Sequence, residues 1–432
     1  MKATQWTLLS LALALNAQAD WKQWRGPGGQ GHANAKLPTE WSETKNVKWR
    51  TPVPGKGWSS PVIEGNQIWM TTSFETPATK EEAAERLKSN TGGVPVNVLS
   101  SVSLHAVCVD KRTGKLLHNL RVITKKEPQW VHKLNSYASP SPIIETGRVY
   151  CHFGSYGTAC IDAKTSKVAW LNEKIWVNHE NGPGSTPVLW KDLLIFHMDG
   201  SDQQFVVALD KKTGLEKWRA VRSGKMHANP QLKKSYGTPL IQEINGKPTL
   251  FSPGSNWLYA YDPATGKELW KTEYGGLGFS IVPKPVTGHG MIFMSTGFMK
   301  AKLLAVRYEK TAKPDIAWSY ARSVSTQPSP LLVGDELYFI TESGGLITCL
   351  NAHTGKRHWV ERIGGNYSAS PTFSNGKIYF HSREGVTTVL QAGKTFKVLA
   401  KNQLKGQHMA SAAVDGNALI LRTDKALYRV GD

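Results

Sequence analysis

The sequence predicts an all-β protein, an eight-bladed β-propeller of four-stranded blades whose last blade is completed by a strand from the N-terminus. Three observations lead to this prediction. A strand–turn–strand unit recurs with Asp, Thr-Gly and Trp at fixed offsets, a second signature precedes each unit, and helical periodicity is nearly absent. Short, evenly spaced strands separated by turn residues are typical of propeller blades.

The recurring unit is clearest in Trp257–Trp270, which reads W-L-Y-A-Y-D-P-A-T-G-K-E-L-W. Gly266 permits the positive φ of a tight turn, and the Asp262 side chain can hydrogen-bond the backbone of that turn. The same offsets return in the units that begin at Asp162, Asp210 and Asn351. Self-similarity at a fixed period indicates a repeat protein.

The second signature is a small or polar residue followed, in all but the last case, by Pro and then by an apolar run. Its first residues are Ser60, Ser141, Thr186, Thr238, Lys284, Ser329, Ser370 and Ser411. From the second position onward these starts lie 41 to 52 residues apart, whereas the first interval is 81 residues. The pattern predicts eight blades, with extra chain in the first.

The long first interval indicates an insertion at 74–104, between the second and third strands of blade 1. Within it, 77–88 is predicted to form a short helix, because a Pro lies near its start, acidic residues come early and a basic residue comes late. Loops on a rigid scaffold carry much of a protein's functional variation. We expect the insertion to act as a lid or as a contact for a partner.

The two ends of the chain are expected to close the ring. The final repeat stops at 427–429 without a fourth strand, while the N-terminus supplies an isolated strand at 46–49. Trp49 lies 12 residues before Pro61, the same spacing that separates Trp318 from Pro330. We expect the N-terminal strand to complete the last blade, which avoids an open sheet edge. A separate N-terminal strand is the alternative.

The N-terminus and the charge suggest an exported, basic protein. Residues 1–19 have the pattern of a secretory signal, so 20–432 is expected to form a single propeller in the periplasm or outside the cell. No Cys follows the cleavage site, so we do not expect a lipoprotein, and no later stretch is long and apolar enough to span a membrane. The net charge of +20 indicates either a solvated basic surface or attraction to an anionic partner. Nucleic acid is not indicated, since no motif for it is present.

The cysteines leave one question open. Cys108, Cys160 and Cys349 occupy equivalent repeat positions, where a small buried core residue is expected. Cys151 and Cys160 flank the centre of one predicted hairpin symmetrically. A disulfide between these two and a pair of free thiols are both compatible with an exported protein.

Together, repeats of the form A-x-D-x-x-T-G-K-x-x-W resemble the pyrroloquinoline quinone (PQQ)-like β-propeller repeat of quinoprotein alcohol dehydrogenases and of the outer-membrane assembly scaffold BamB. The resemblance covers about 40–430. Trp21–Pro27 and Gly182–Pro187 further resemble exported PQQ-like propeller proteins abundant in planctomycetes. The resemblance implies that the closing Trp of each repeat docks between neighbouring blades. These residues are Trp49, Trp170, Trp218, Trp270, Trp318 and Trp359.

Propeller geometry indicates where a ligand would bind. The loops between second and third strands share one face with the loops between blades, and they surround the mouth of the central channel. The Thr-Gly turns lie on the opposite face. The polar and aromatic candidates in this funnel are Tyr156, His179, Glu180, Asp199, Asp202, Gln203, Asn256, Trp257, Glu342, Arg383 and Glu384.

Each chemical interpretation of these candidates has a plainer alternative. Asp199 and Asp202 could offer two carboxylates to Ca²⁺, or could simply form a hairpin turn. His179 and Glu180 could act as a base and its orienting group, or could belong to a polar loop between blades. No zinc-ligand spacing, nucleophile elbow or phosphate-binding loop is present, so no metal site is predicted.

The preferred functional prediction is a non-catalytic, monomeric binding scaffold of the periplasm or cell envelope. Its partner would be an envelope protein or an anionic glycan on the loop-rich face, and a BamB-like assembly role is one version. The alternative is an oxidoreductase or hydrolase with its site in the funnel. PQQ with Ca²⁺ is the cofactor that the resemblance would imply for such an oxidoreductase. We expect no cofactor, because the chain lacks the adjacent Cys-Cys pair and the haem C-x-x-C-H motif.

Overall fold

The computed structural model describes residues 20–90, 92–275, 278–308 and 314–432. The predicted signal at 1–19 lies outside the described residues. The chain is 48% strand and 4% helix and forms an eight-bladed β-propeller with four-stranded blades, as predicted. Among the described residues, no helix has the length and apolar character needed to cross a membrane.

The first third of the chain holds the N-terminal segment and the first two blades. The N-terminal strands are β1 (His32–Ala33) and β2 (Val47–Pro52). Blade 1 and its insertion comprise β3 (Val62–Glu64), β4 (Gln67–Pro77), α1 (Lys80–Leu87), β5 (Val96–Asn97), β6 (Leu99–Asp110) and β7 (Leu116–Lys126). After β8 (Val131–His132), blade 2 comprises β9 (Ile143–Glu145), β10 (Arg148–His152), β11 (Thr158–Asp162) and β12 (Lys167–Asn172).

The next blades follow the same order of one short and three longer strands. Blade 3 comprises β13 (Val188–Trp190), β14 (Leu193–Asp199), β15 (Gln204–Asp210) and β16 (Glu216–Val221). Blade 4 comprises β17 (Leu240–Ile244), β18 (Lys247–Gly254), β19 (Trp257–Tyr261) and β20 (Glu268–Glu273). Blade 5 comprises β21 (Val286–Gly288), β22 (Met291–Ser295), β23 (Leu303–Arg307) and β24 (Asp315–Tyr320).

The last three blades bring the chain back to its start. Blade 6 comprises β25 (Leu331–Val333), β26 (Glu336–Ile340), β27 (Leu346–Asn351) and β28 (Arg357–Arg362). Blade 7 comprises β29 (Thr372–Ser374), β30 (Lys377–His381), β31 (Val386–Gln391) and β32 (Val398–Gln403). Blade 8 contains β33 (Ala413–Asp415), β34 (Ala418–Arg422) and β35 (Ala426–Val430).

The N-terminal strand closes the ring, as predicted. Strand β2 pairs antiparallel with β35, with Arg50 opposite Tyr428, and forms the outer strand of blade 8. First strands of neighbouring blades contact one another at several junctions of the ring, including that of blades 8 and 1. These first strands therefore line the central channel, and the apolar core fills the spaces between successive sheets.

The insertion is an extended hairpin that carries the helix. Strands β4 and β6 continue pairing beyond the blade, from Phe74 opposite Ser103 to Pro77 opposite Leu99, so part of 74–104 is strand rather than loop. Helix α1 begins with a capping box, in which Thr79 and Glu82 satisfy each other's backbone N–H groups. Strand β5 pairs with β8, which ties the insertion to the loop between blades 1 and 2.

The disulfide considered for Cys151 and Cys160 does not form, and both thiols are free and buried. In the β10–β11 ladder Cys160 lies opposite Tyr150, while Cys151 lies opposite Ala159. Neighbouring residues on a strand point to opposite faces of the sheet. Cys151 therefore packs between blades 1 and 2, and Cys160 packs between blades 2 and 3.

The repeated Trp side chains contact the following blade. The indole N–H of Trp170 donates to the carbonyl of Lys211 in blade 3, at 3.1 Å. Trp49, Trp218, Trp318 and Trp359 donate in the same way to carbonyls of Lys111, Pro263, Ala352 and Gly393. Trp270 packs against Phe251 at a ring separation of 5.8 Å. The segment between β23 and β24 of blade 5 includes 309–313, which lie outside the described residues.

Candidate functional site

The two ends of the propeller differ in structure. On the loop face, the loops between second and third strands meet the loops between blades, as where Ser201 N–H donates to the Asn178 carbonyl at 2.8 Å. On the turn face, the two tight turns of each blade meet, as where Lys111 N–H donates to the Asn66 carbonyl at 3.0 Å. The predicted funnel residues lie on or beneath the loop face.

A ring of hydroxyl groups joins the blades around the channel. The residue before the Pro of each blade receives a hydrogen bond from the matching backbone N–H of the preceding blade, such as Ser60 N–H to Ser141 Oγ at 2.8 Å. Ser411 N–H returns to Ser60 Oγ at 3.0 Å. The other hydroxyls of the ring belong to Thr186, Thr238, Ser329, Ser370 and Ser411. Blade 5 interrupts the ring, since Lys284 stands at its position.

Lys284 is a buried cation, with 2% of its surface exposed. Its backbone N–H donates to Ser329 Oγ, but no acceptor for its ammonium group is found in the described part of the chain. Burial lowers the pKa of Lys284 to about 7, and the charge of Arg25 contributes to the same shift. The fold therefore holds an ammonium group in the channel without a counter-ion among the described residues.

The N-terminal segment Trp21–Ala33 lies across this channel. Its backbone carbonyls accept from first strands on different sides of the ring, from Ile63 N–H to Trp21 and from Phe373 N–H to Gly31, each at 2.8 Å. Strand β1 adds in parallel to β29 of blade 7. The segment Trp21–Ala33, which contains the Trp21–Pro27 motif singled out in the sequence, is thus a plug that covers the inner strand edges near the turn face.

Arg25 is the charged centre of the plug. Its side chain is 1% exposed, and Nη2 donates to the carbonyls of Pro330 at 2.7 Å and Gln30 at 3.0 Å. Its Nε and Nη1 atoms find no partner among the described residues. Burial lowers the pKa of Arg25 to about 9. Arg25 and Lys284 thus place two basic side chains inside the channel, with no carboxylate bonded to either among the described residues.

A small cavity lies under the loop face between blades 2, 3 and 4. Its lining includes His152, His179, His197, Asp199 and Tyr236. His179 is 4% exposed, and neither of its ring nitrogens has a partner in the described structure. Burial lowers the pKa of His179 to about 3, so its imidazole is neutral at physiological pH. The cavity is polar but carries no free charge of its own.

The carboxylate in this cavity is already neutralised. Arg222 donates from Nε to Asp199 Oδ1 at 3.1 Å and from Nη2 to Asp199 Oδ2 at 2.7 Å, and both side chains are almost fully buried. The guanidinium also lies over the ring of Tyr259, with its carbon 4.8 Å from the centroid. Such a bidentate, charge-assisted pair holds both carboxylate oxygens.

The proposed pairing of His179 with Glu180 is not the one that the structure forms. The Glu180 carboxylate instead accepts from Lys234 Nζ at 3.0 Å. Tyr156 is buried, donates its hydroxyl to the Gln129 carbonyl at 2.9 Å and meets the His179 ring edge-on at 5.3 Å. Tyr156, His179 and Asp199 are thus close to one another, but they form a packed wall rather than an acid–base arrangement.

A second group of candidates lies at blades 6 and 7. Arg383 donates from Nε to Ser368 Oγ at 2.9 Å and from Nη2 to Gln327 Oε1 at 2.8 Å. The exposed Glu384 carboxylate accepts from the backbone and side-chain N–H groups of Asn366, at 3.0 and 2.8 Å. Glu342 contributes a backbone carbonyl, which accepts from Tyr367 N–H at 2.9 Å. These bonds order the loops.

The remaining candidates serve local loop geometry. Asp202 is exposed and accepts from Asn178 N–H at 2.8 Å, and its neighbour Gln203 is exposed in the same hairpin. Asn256 adopts a left-handed φ of 64° at the tip of the β18–β19 hairpin. Trp257 donates from Nε1 to the Lys225 carbonyl at 3.1 Å. An enzyme site in the funnel would need several polar candidates to converge. Asp199, Asp202, Asn256, Glu342 and Arg383 are instead spread around the loop face, each with its own local partners.

The residues present do not fit PQQ with Ca²⁺. Ca²⁺ needs six to eight oxygen ligands. The two most buried loop-face carboxylates, Asp199 and Glu180, are held by Arg222 and Lys234. Within the described ranges, the one group of three or more His, Cys, Asp or Glu side chains with converging ligand atoms lies on the turn face, away from the funnel. The channel itself is crossed by the N-terminal plug.

The sequence did not identify Arg222, Lys234 and Lys284 as candidate site residues. Arg222 and Lys234 carry no local motif, because their partners belong to other strands and loops. Lys284 did carry a signal, since it alone replaces a Ser or Thr at the start of a blade. A residue that departs from the repeat, as Lys284 does, indicates a role other than building the blade.

Comparisons with known proteins agree with the propeller fold. The sequence model of the family described as outer membrane protein assembly factor BamB matches residues 81–220 and 203–430. None of the curated protein sequences is significantly similar to the chain.

Similar folds occur among solved structures. BamB from Moraxella catarrhalis is 13% identical, with 83% of this chain and 99% of that one covered and a TM-score of 0.53. The quinohemoprotein alcohol dehydrogenase from Comamonas testosteroni is 11% identical, with 96% and 81% covered and a TM-score of 0.58. The computationally designed Ika8 protein is 9% identical, with 88% and 100% covered and a TM-score of 0.55. At these identities the likeness concerns the fold alone. The match of the family model to most of the sequence, however, makes the chain a member of the BamB-like family of PQQ-like β-propellers.

Proposed function

We propose that the protein is a non-catalytic binding scaffold of the cell envelope, which uses its loop face to bind an envelope protein with an acidic surface. The observation that carries this proposal is the set of large apolar side chains that the loop face leaves open to solvent. They are Leu134, at 46% exposed, Trp176 at 50%, Phe298 at 55% and Met299 at 65%. Contiguous exposed apolar patches mark protein interaction surfaces, and the proposal takes these side chains as parts of such a patch.

Charge on the same face favours an acidic partner. Each apolar anchor has an exposed lysine within two residues along the chain: Lys133 beside Leu134, Lys174 before Trp176 and Lys300 after Met299. Aromatic or aliphatic anchors with a rim of charge are the usual anatomy of protein interfaces, and complementary charge speeds encounter and selects partners. The proposal extends the family's description as an outer membrane assembly factor to this chain.

The chemistry of the channel supports binding rather than catalysis. The carboxylates best placed for catalysis are held in ion pairs, the His179 imidazole is buried and neutral, and the channel is plugged. A general base must reach a substrate proton in an open site, and these groups do not. An oxidoreductase of the quinoprotein type is the competing function, and it would need the plug and the ion pairs to rearrange.

Site-specific photo-crosslinking in cells tests the proposal. A photoreactive amino acid replaces Met299 or Trp176 on the loop face, and the controls replace Leu215 or Leu269 near the turn face. Exposure is matched, at 65% for Met299 and Leu215, 50% for Trp176 and 49% for Leu269. We expect one defined adduct with an acidic envelope protein from the loop-face positions alone. Equal adducts from both faces, or binding only to an anionic glycan, would contradict it.

A further inference from the structure

Three side chains that no motif connects meet on the turn face. His289 lies in the turn between β21 and β22, Asp335 lies in the turn between β25 and β26, and His353 lies in the turn between β27 and β28. Nε2 of His353 is 3.0 Å and Nε2 of His289 is 3.5 Å from the same Oδ1 atom of Asp335. The two imidazole centroids are 4.1 Å apart. One ligand atom from each residue lies within 4.8 Å of the others.

The equivalent turns of other blades carry different side chains at these positions. Ala352 N–H donates to the Asp335 carbonyl at 2.8 Å, as Lys211 N–H donates to the Asp192 carbonyl at 2.9 Å in blade 3. This match places Asp192 and Lys212 at the positions of Asp335 and His353. There the two side chains form a loose, exposed ion pair, with Nζ 4.0 Å from Oδ1.

The third position can be compared in the same way. Thr146 of blade 2 stands where blade 5 has His289, and the two residues have similar left-handed φ angles of 52° and 55°. The turn conformation therefore does not require an imidazole at this position. A threonine and a lysine serve at the blade 2–blade 3 junction, whereas two histidines meet the aspartate at the blade 5–blade 6 junction.

We propose that His289, Asp335 and His353 bind a divalent transition-metal ion of the Zn²⁺ class. Two imidazole nitrogens with one carboxylate oxygen are ligands that Zn²⁺ and its neighbours prefer, and an incomplete protein set leaves a position for water. The side chains are accessible, at 25% exposed for His289, 48% for His353 and 56% for Asp335. Each neutral imidazole can present Nε2 to the ion when its proton lies on Nδ1.

The position of the site gives the ion a defined effect. His289 belongs to blade 5, while Asp335 and His353 belong to blade 6, so one ion would cross-link two neighbouring blades. The Gly334 carbonyl lies 2.9 Å from His289 Nε2, at hydrogen-bond distance, and is a further oxygen that the ion could contact when it replaces the proton between these two atoms. The ion would therefore stabilise the folded ring, because a ligand that binds the native state alone raises its stability. The site is separate from the loop face and does not depend on its function.

The test is a calorimetric titration of the untagged, chelator-treated full chain with Zn²⁺. The variants H353K and H289T install the residues that the repeat uses at blades 3 and 2, and D192N alters the equivalent blade 3 position as a control. We expect one ion per chain, an affinity at least about tenfold weaker in H353K and H289T, and an unchanged affinity in D192N.

A melting experiment gives an independent readout. Zn²⁺ should raise the melting temperature of the wild type and of D192N more than that of H353K at the same Zn²⁺ concentration. Substitution by Co²⁺ should give visible absorption that H353K abolishes. Absence of stoichiometric Zn²⁺ binding in the wild type, or wild-type affinity in both histidine variants, would overturn the proposal.

Discussion

Trp218 of blade 3 lies flat against Gly266 of blade 4. A Cβ atom added to Gly266 would stand 2.5 Å from Cε3 of the indole, and the φ of Gly266 is +72°. The indole N–H donates to the Pro263 carbonyl of the same turn, at 3.2 Å. Glycine is thus required at position 266 for two reasons: the turn has a positive φ there, and the Trp218 indole leaves no room for a Cβ atom.

Replacing Gly266 with Ala should therefore cost more than the strain of the turn alone. Gly376 has a similar φ of +75°, but a Cβ atom added there would meet no atom within 4 Å, so it is the matched control. We expect about 1–2 kcal/mol of lost stability for G376A from the left-handed backbone, and about 1–3 kcal/mol more for G266A from overpacking. Denaturant unfolding measures both. Equal losses would mean that the indole moves away freely.

Removal of the closing strand should open the ring. Deleting 20–49 removes the plug and half of β2, whereas deleting 20–31 removes most of the plug and keeps the β2–β35 ladder. We expect the longer deletion to lower the melting temperature sharply and the shorter one to lower it less. An unchanged melting temperature after the longer deletion would refute closure by the N-terminal strand.

The buried Asp199–Arg222 pair should be structural. Breaking it with R222M leaves an unpaired buried carboxylate, so we expect a loss of about 3–5 kcal/mol in unfolding free energy. R219M removes an exposed pair with Glu216 from the same strand and should cost at most about 1 kcal/mol. Similar small losses in both variants would indicate that Asp199 is free to serve another role.

Lys284 should make stability depend on pH. Its folded pKa of about 7 is below the 10.5 of an ordinary lysine, so between these values the unfolded chain binds more protons than the folded one. The destabilisation is complete below pH 7 and is relieved as the pH rises toward 10.5. Stability of the wild type should therefore rise with pH relative to K284M. A constant difference from about pH 6 to pH 10 would show that the ammonium has a hidden counter-ion.

The fold was predictable because the same pattern of strands and turns recurs along the sequence. Each Thr-Gly turn and each Ser-Pro start is a weak signal alone, but their common spacing predicted the eight blades and the closure by β2. The disulfide considered for Cys151 and Cys160 does not form, because symmetric positions about a turn do not determine the pairing register of the two strands. A shift of one residue places Cys151 and Cys160 on opposite faces of their sheet.

The site was less predictable because its contacts cross between blades. The Glu180–Lys234 ion pair joins residues from different loops, and no local sequence pattern indicates it. His289, Asp335 and His353 meet only because the ring brings three separate turns together. The plug was visible as the motif Trp21–Pro27, but its place in the channel depends on the closed ring.

The central claim, a binding scaffold without a quinone cofactor, is tested most directly by a spectral titration of the purified protein with PQQ and Ca²⁺. A dye-linked alcohol and sugar oxidation assay completes it. Because the plug crosses the channel and the buried loop-face carboxylates of Asp199 and Glu180 are held in ion pairs, we expect no saturable binding at tens of micromolar (~10⁻⁵ M, about 7 kcal/mol of binding free energy) and no turnover. Saturable binding with turnover would contradict the claim and place the protein among the quinoprotein enzymes.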